Sequence, residues 1–289
     1  MKLRWWLPLL LIALVACHSS APPPVADHPT RIVSMLPSFT QILVAMGAGD
    51  RIVGHTSFCP AEGVRDDAVV IGAALNANFE KIVAVRADLV VAQDTMEEHV
   101  NKLRALGLQV EPLPAETIDH ACNAAVRLGQ LLGLETEGRQ VAADMRGGLD
   151  AVRRSVARQK LVRALMVVGH TPGELRDITV AAGKTFLNEL LQVAGGINVA
   201  ADAPALYPKY STEEILRANP EVIFIFVPQI KPDPQTAPRE LALWRTLSYL
   251  QAMKQNRVHV ITDRFALSPG TDMAATAKKM AALLHPETP

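Results

Sequence analysis

The sequence predicts an α/β protein of two lobes, and three observations carry that prediction. Short apolar runs alternate with amphipathic stretches along most of the chain, the pattern of a mostly parallel sheet covered by helices. One block also recurs without a gap: Glu80-Lys81-Ile82-Val83-Ala84-Val85-Arg86-Ala87-Asp88-Leu89-Val90-Val91 aligns with Glu213-Glu214-Ile215-Leu216-Arg217-Ala218-Asn219-Pro220-Glu221-Val222-Ile223-Phe224. Each copy reads as a short helix opened by a glutamate, closed by a turn and followed by a buried strand. Between the halves, residues 135–160 keep helical periodicity with no proline, although Gly147-Gly148 weakens the middle by roughly 1 kcal/mol per glycine relative to alanine. Two Rossmann-like lobes with central sheets, joined by that single long helix, put a ligand cleft between them.

The elements follow in chain order. Lys2 and Arg4 precede an apolar run over residues 5–16, which is too short to span a bilayer and suits a secretory signal. The run ends in Leu14-Val15-Ala16-Cys17, which resembles the lipobox of bacterial lipoproteins and implies a lipid on Cys17. Residues 17–30, with Pro22-Pro23-Pro24, read as an extended tether. The N-terminal lobe then covers 31–134, with strands expected at 31–35, 51–54, 89–92 and 109–113. Helices are expected at 38–46, 79–85, 96–106 and 118–132. The first has Pro37 and Ser38 at its entry, Gln41 completing a weak capping box, and Gly47 as its stop. After the connecting helix, the C-terminal lobe covers 161–289. Its strands are expected at 164–168, 222–227 and 257–261, and its helices near 185–194, 212–218 and 273–284.

Composition narrows the function classes. About 260 residues lie beyond the tether, enough for two lobes of ordinary size. The 29 basic residues balance the 29 acidic ones, so neither nucleic acid nor an anionic surface is favoured as a partner. Aromatics are only 4%, which makes each aromatic in a loop more informative. Beyond Cys17 stand Cys59 and Cys122; an oxidising compartment would let them pair, but spacing does not say whether they meet.

Several ordered segments carry a family resemblance. Arg31-Ile32-Val33-Ser34-Met35-Leu36-Pro37-Ser38, Gly47-Ala48-Gly49-Asp50-Arg51-Ile52-Val53-Gly54, Asn76-Ala77-Asn78-Phe79-Glu80 and Asp88-Leu89-Val90 resemble the N-lobe of the periplasmic binding proteins for vitamin B12, haem and iron-siderophores. Ala182-Gly183-Lys184-Thr185-Phe186-Leu187, Ala194-Gly195-Gly196-Ile197-Asn198-Val199 and Tyr210-Ser211-Thr212-Glu213-Glu214-Ile215 resemble the matching C-lobe segments. The resemblance implies a monomeric, lipid-anchored binding protein on the outer face of the cell membrane, delivering cargo to an ABC importer's permease and ATPase. It also implies that Glu80 and Glu213 dock onto permease arginines. Read from sequence alone, a glutamate in a first helical turn complements the helix dipole by about 0.3–1 kcal/mol and needs no partner.

The ligand is expected at the strand ends facing the cleft. There the N-lobe presents Ser38, Phe58, Cys59, Ala74, Asn76 and Thr95, and the C-lobe presents His170, Tyr207, Arg264 and Phe265. Phe58 and Tyr207 offer flat faces for a large planar ligand, or plug the core beneath their loops. His170 offers a neutral imidazole to a metal, or is a hydrogen-bonded cleft residue. Arg264 is the best candidate for an anionic chelate. No resident cofactor or metal is expected; the cargo is a cobalt corrinoid or an iron chelate. Haem carriers of the family supply a tyrosine in the loop that here reads Gly72-Ala73-Ala74-Leu75. Cobalamin carriers resemble this chain around Phe58 and at Tyr207, whereas Ala74 stands where they have tryptophan. The order of expectation is corrinoid, ferric siderophore, haem.

An enzyme is the rival class. Asp94, His99, His120 and His170 lack the spacing of a compact metal set. The sequence carries no Cys-x-x-Cys, His-Glu-x-x-His, Gly-x-Ser-x-Gly or glycine-rich phosphate loop. A ligand-sensing lipoprotein that signals to a receptor is a further alternative on the same fold.

Overall fold

The computed structural model describes residues 28–286; the leader and Cys17 lie outside them. The N-lobe comprises β1 (Ile32–Ser34), α1 (Pro37–Ala45), β2 (Ile52–His55), β3 (Val69–Val70), β4 (Gly72–Ala73), β5 (Asn76–Ala77), α2 (Phe79–Ala84), β6 (Leu89–Gln93), α3 (Glu97–Ala105), β7 (Val110–Leu113) and α4 (Ile118–Leu132). Its sheet runs β3-β2-β1-β6-β7 with every pair parallel, and β4 and β5 form a separate hairpin. Helix α5 (Glu135–Ser155) leads to the C-lobe. That lobe comprises β8 (Val162–Gly169), β9 (Ile178–Val180), α6 (Phe186–Val193), β10 (Gly196–Asn198), β11 (Lys209–Tyr210), α7 (Thr212–Ala218), β12 (Val222–Phe226), α8 (Thr236–Trp244), α9 (Gln251–Lys254), β13 (Val258–Ile261) and α10 (Met273–Leu284). Its sheet runs β11-β9-β8-β12-β13, with β10 beside the start of β8.

The central strands are buried on both faces, as parallel strands under helices must be. Alternate residues go to different cores. In β6, Leu89 and Val91 join one cluster while Val90 and Ala92 join another. In β12, Val222, Phe224 and Phe226 join the first cluster while Ile223 and Ile225 face the outer side of the C-lobe. That first cluster is continuous through both lobes. It runs from Ile32 and Phe39 through Val141, Met145, Leu149 and Val152 of α5 to Phe186, Phe224 and Met280. Helix α5 packs on α4 at one end and on α6 and α10 at the other.

Two expectations need correction, and one open question is answered. Helix α1 starts with Pro37 in its first turn and Leu36 as its N-cap, without a side-chain cap. Proline is preset for the first helical position, so Ser38 falls inside the helix, and the Gln41 amide instead donates to Asp272 at 2.7 Å. The connecting helix ends at Ser155 rather than residue 160, with turns following. Gly148 inside it has a packing reason: a Cβ there would stand 2.8 Å from the Ala274 Cβ of α10. Cys59 and Cys122 remain separate buried thiols, each pushed up chiefly by burial.

The repeated block takes the same shape twice. Arg86 and Asn219, at matching positions, both take positive φ, 48° and 39°, and end their helices before β6 and β12. Asn78 and Ser211 are the matching N-caps, accepting from the backbone N–H of Lys81 and Glu214. A further pair was not read from sequence. Arg31 donates to the Val85 carbonyl at 2.7 Å, and Arg163 donates to the matching Ala218 carbonyl at 2.9 Å. Each ties its helix end to the first strand of its lobe.

Candidate functional site: the cleft between the lobes

The cleft lies at the carboxyl ends of the parallel strands, where open α/β sheets leave their crevice. Three contiguous cavities occupy it, and Leu36, just after β1, lines all three.

The floor is a cavity of about 260 Å³ walled by Pro37, Ser38, Gln93, Glu116, Phe186, Tyr207, Leu267 and Ser268. Glu116 accepts a hydrogen bond from the Gln93 amide at 2.6 Å. Desolvation, and after it the nearby Glu116 carboxylate, push the Tyr207 phenol up to about 12. A second cavity, also about 260 Å³, is mostly apolar: Phe58, Ala74, Pro228, Ile230, Phe265 and Leu267 line it, with Thr56, Gln229 and Arg264. Phe58 is 54% exposed and Ile230 47%, so both offer apolar surface to a ligand. A third, of about 640 Å³, opens between the β4–β5 hairpin and the start of α3, with Ala74, Leu75, Thr95, Met96, Glu97, Glu98 and His99 in its wall. His99 fastens that hairpin, its Nε2 lying 3.2 Å from the Leu75 carbonyl.

Arg264 reaches across the cleft. Its guanidinium donates to the Cys59 carbonyl at 2.6 Å and lies 3.9 Å from Glu62, both on the N-lobe, and it stacks 5.0 Å from the Phe265 ring. The segment carrying it approaches α1 so closely that a Cβ at Gly270 would lie 2.0 Å from Gln41 Oε1. This strap, with the Gln41–Asp272 bond, joins the lobes on the cleft side. The Phe186 N–H to Glu116 carbonyl bond, 2.7 Å, joins them at the floor.

Of the residues expected at the ligand, the structure brings Ser38, Phe58, Ala74, Thr95, Tyr207, Arg264 and Phe265 to these cavities. It places three elsewhere. Cys59 is buried, with its thiol 3.1 Å from Thr56 Oγ1. Asn76 lies on β5 outside the cavity walls. His170 has both ring nitrogens engaged, Nδ1 at the Thr171 carbonyl and Nε2 at Glu240, 2.9 and 2.8 Å away, and no lone pair is left for a metal.

Sequence reading missed Glu116, Phe186, the 228–230 loop and the 267–269 loop. Only the Pro-rich character of the two loops signalled irregular backbone; their facing the cleft depends on tertiary placement.

Glu80 and Glu213 stand exposed in the first turns of α2 and α7. Neither carboxylate accepts a hydrogen bond from another group among the described residues; the capping box of α7 uses Glu214 instead. A separate cavity of about 460 Å³ lies between α4, α5 and α6. Its charged walls are already paired, Arg146 with Asp119, Arg153 with Asp150, and Glu189 with the Ile118 N–H.

The comparisons with known proteins agree with this architecture. The family described as "Periplasmic binding protein" matches residues 32–265. The vitamin B12-binding protein of Vibrio cholerae serotype O1 is 28% identical over 224 residues, covering 75% of this chain and 79% of its own length. An uncharacterized ABC transporter substrate-binding lipoprotein of Bacillus subtilis is 24% identical over 274 residues, covering 91% and 82%. Among solved structures, the periplasmic vitamin B12-binding protein of Vibrio cholerae superposes with a TM-score of 0.74 at 23% identity, over 89% of this chain and 96% of that one. A periplasmic haem-binding protein of Pseudomonas aeruginosa superposes with a TM-score of 0.77 at 21% identity, over 90% and 94%. At such identities the superpositions speak to fold alone.

Proposed function

The chain belongs to the periplasmic binding protein family, and from that premise we propose that it captures a corrinoid of the vitamin B12 type between its lobes and delivers it to an ABC importer. One observation carries the choice of ligand. The cleft is walled by Phe58, Phe265, Leu36 and Ile230, and its arginine is already bonded to the opposite lobe. Large flat faces suit a planar macrocycle, while an anionic chelate would want a free guanidinium. The similarity to a vitamin B12-binding protein points the same way.

Haem fits less well. The hairpin turn at Ala74-Leu75 offers no axial ligand, and Tyr207, its phenol raised to about 12, is costly to convert to tyrosinate. A ferric siderophore ranks between the two.

The delivery end is the pair Glu80 and Glu213. Exposed carboxylates free of other bonds suit a basic surface on a permease, where such rim charges set orientation and encounter rate. The lipid on Cys17 and the extracytoplasmic location belong to the same reading, supported by the likeness to a substrate-binding lipoprotein. The role is capture and release, not catalysis.

The test is a visible absorption spectrum after incubation with cyanocobalamin, haemin and ferric siderophores, each followed by desalting. Retained cyanocobalamin is expected. Retained haem with a tyrosinate-like band would overturn the choice.

A further inference from the structure

Glu116 is the one charged residue on the floor of the cleft, and three bonds hold it there. Its Oε1 accepts from the Gln93 amide at 2.6 Å, its backbone N–H donates to His120 Nδ1 at 3.2 Å, and its carbonyl accepts from the Phe186 N–H of the other lobe at 2.7 Å. The side chain is thus fixed at the seam where the lobes meet. Its second carboxylate oxygen has no protein partner among the described residues. Around it, among the described residues, Ser38 and Ser268 of the floor donate no side-chain hydrogen bond to protein, and neither does Tyr207 across the cleft.

No lysine or arginine lines the floor beside Glu116. Arg264 is the one lysine or arginine in the walls of the three cleft cavities; it lines the second cavity rather than the floor, and its guanidinium donates to the Cys59 carbonyl and faces Glu62. Glu97 and Glu98, at the mouth beside the hairpin, add to the negative field. A half-buried carboxylate in that setting welcomes a donor and repels an acceptor of its own charge.

We propose that Glu116 is a specificity-determining residue that reads the rim of the ligand, accepting a hydrogen bond from a peripheral amide N–H and rejecting a carboxylate at the same place. This rests on the corrinoid reading, because a corrin ring is fringed with neutral amides and a haem with carboxylates. It goes beyond that reading in naming the group that distinguishes them. The apolar walls offer no polar group that tells a peripheral amide from a carboxylate.

The experiment uses the full mature chain and two matched ligands, cyanocobalamin and its monocarboxylate made by hydrolysing one peripheral amide, with affinities measured by fluorescence quenching. Apposing two carboxylates in a partly desolvated cleft is expected to cost roughly tenfold or more in affinity. In wild type the amide form should bind that much tighter than the acid. In Glu116→Gln the ratio should fall to about threefold or less, while Glu97→Gln at the mouth should leave most of it. Circular dichroism and thermal unfolding establish that each variant is folded.

A wild-type ratio near one, a ratio unchanged in Glu116→Gln, or an equal loss in Glu97→Gln overturns the assignment. If the protein retains neither corrinoid, the corrinoid reading fails by itself. The same variants are then compared on a neutral ferric trihydroxamate and an anionic ferric tricatecholate. A narrowed preference for the neutral chelate in Glu116→Gln keeps the assignment, and an unchanged one ends it.

Discussion

The two lobes are alike in the repeated block that carries Glu80 and Glu213 and unlike in the segments that line the cleft. In that block the matches extend through the N-caps Asn78 and Ser211, the left-handed residues Arg86 and Asn219, and the helix-tying arginines Arg31 and Arg163. Toward the cleft the copies part company. Residues 76–77 of the N-lobe form β5, paired only with β4 in a hairpin apart from the main sheet. Their counterparts, Lys209 and Tyr210, form β11 and are bonded antiparallel to β9 inside the main sheet. So Ala74 sits at the tip of an isolated hairpin, while Tyr207 leads into a strand anchored in the sheet. A two-strand hairpin is marginal by itself; here the buried Ile71 and Ala77 and the His99 contact hold it. The difference teaches that the frame repeats in the blocks that open α2 and α7 and diverges in the segments that wall the cleft.

The largest expected effect tests the repeated block. Replacing both Glu80 and Glu213 by alanine should reduce uptake through a reconstituted permease by at least about tenfold, the scale of a lost rim-charge pair, with ligand affinity intact. Loss of ligand binding instead would refute the docking role, and binding without uptake in the wild type would mark a sensor.

Next comes the core beneath the repeat, where Val91 and Phe224 occupy matching positions in β6 and β12. Phe224→Ala should cost about 3–5 kcal/mol in urea unfolding, and Val91→Ala less, because a smaller side chain leaves a smaller cavity. Equal costs would mean that the lobes do not share the load as their packing indicates.

A third substitution attacks the asymmetry. Ala74→Trp puts an aromatic face opposite Tyr207 and fills part of the third cavity, and should tighten corrinoid binding by about three- to tenfold. Weaker binding would show that the room beside Ala74 is occupied by the ligand.

The smallest effect is a pH dependence in the C-lobe. Burial pulls His170 down, but its bonds to the Thr171 carbonyl and to Glu240 outweigh that, and its pKa is raised above 6.5. A raised histidine contributes stability that is fully present below its unfolded pKa and is lost as pH rises through the folded value. Glu240→Gln should therefore flatten the decline in melting temperature from pH 6 upward; an unchanged slope would remove the pair from the account.

Much of this was legible in the chain. Helix α4 falls where its periodicity places it, at Ile118–Leu132, because an N-cap threonine and a C-terminal glycine bound a clean apolar stripe. The strands β1, β6 and β12 were visible as buried apolar runs. The hairpin β4–β5 was not, since two-residue strands are too short to show a period. Helix α8 hid among Pro232, Pro234 and Pro238 and starts without a side-chain cap. In the site, aromatics announced themselves by rarity, whereas Glu116 did not. Nothing local separates it from a surface glutamate until β7, β6 and α6 are brought together around it. His170 was misleading for the same reason, its partner Glu240 lying on a helix not foreseen.

The core that runs unbroken from Ile32 through α5 to Met280 has a consequence for how this molecule fails. Two lobes with separate interiors could melt one after the other and expose a half-folded chain between. Here the same apolar stripe of α5 belongs to both interiors, so losing one lobe strips the packing from the other. Calorimetry should record a single transition, and a protease outside the cytoplasm meets either the intact protein or a chain unfolded from end to end.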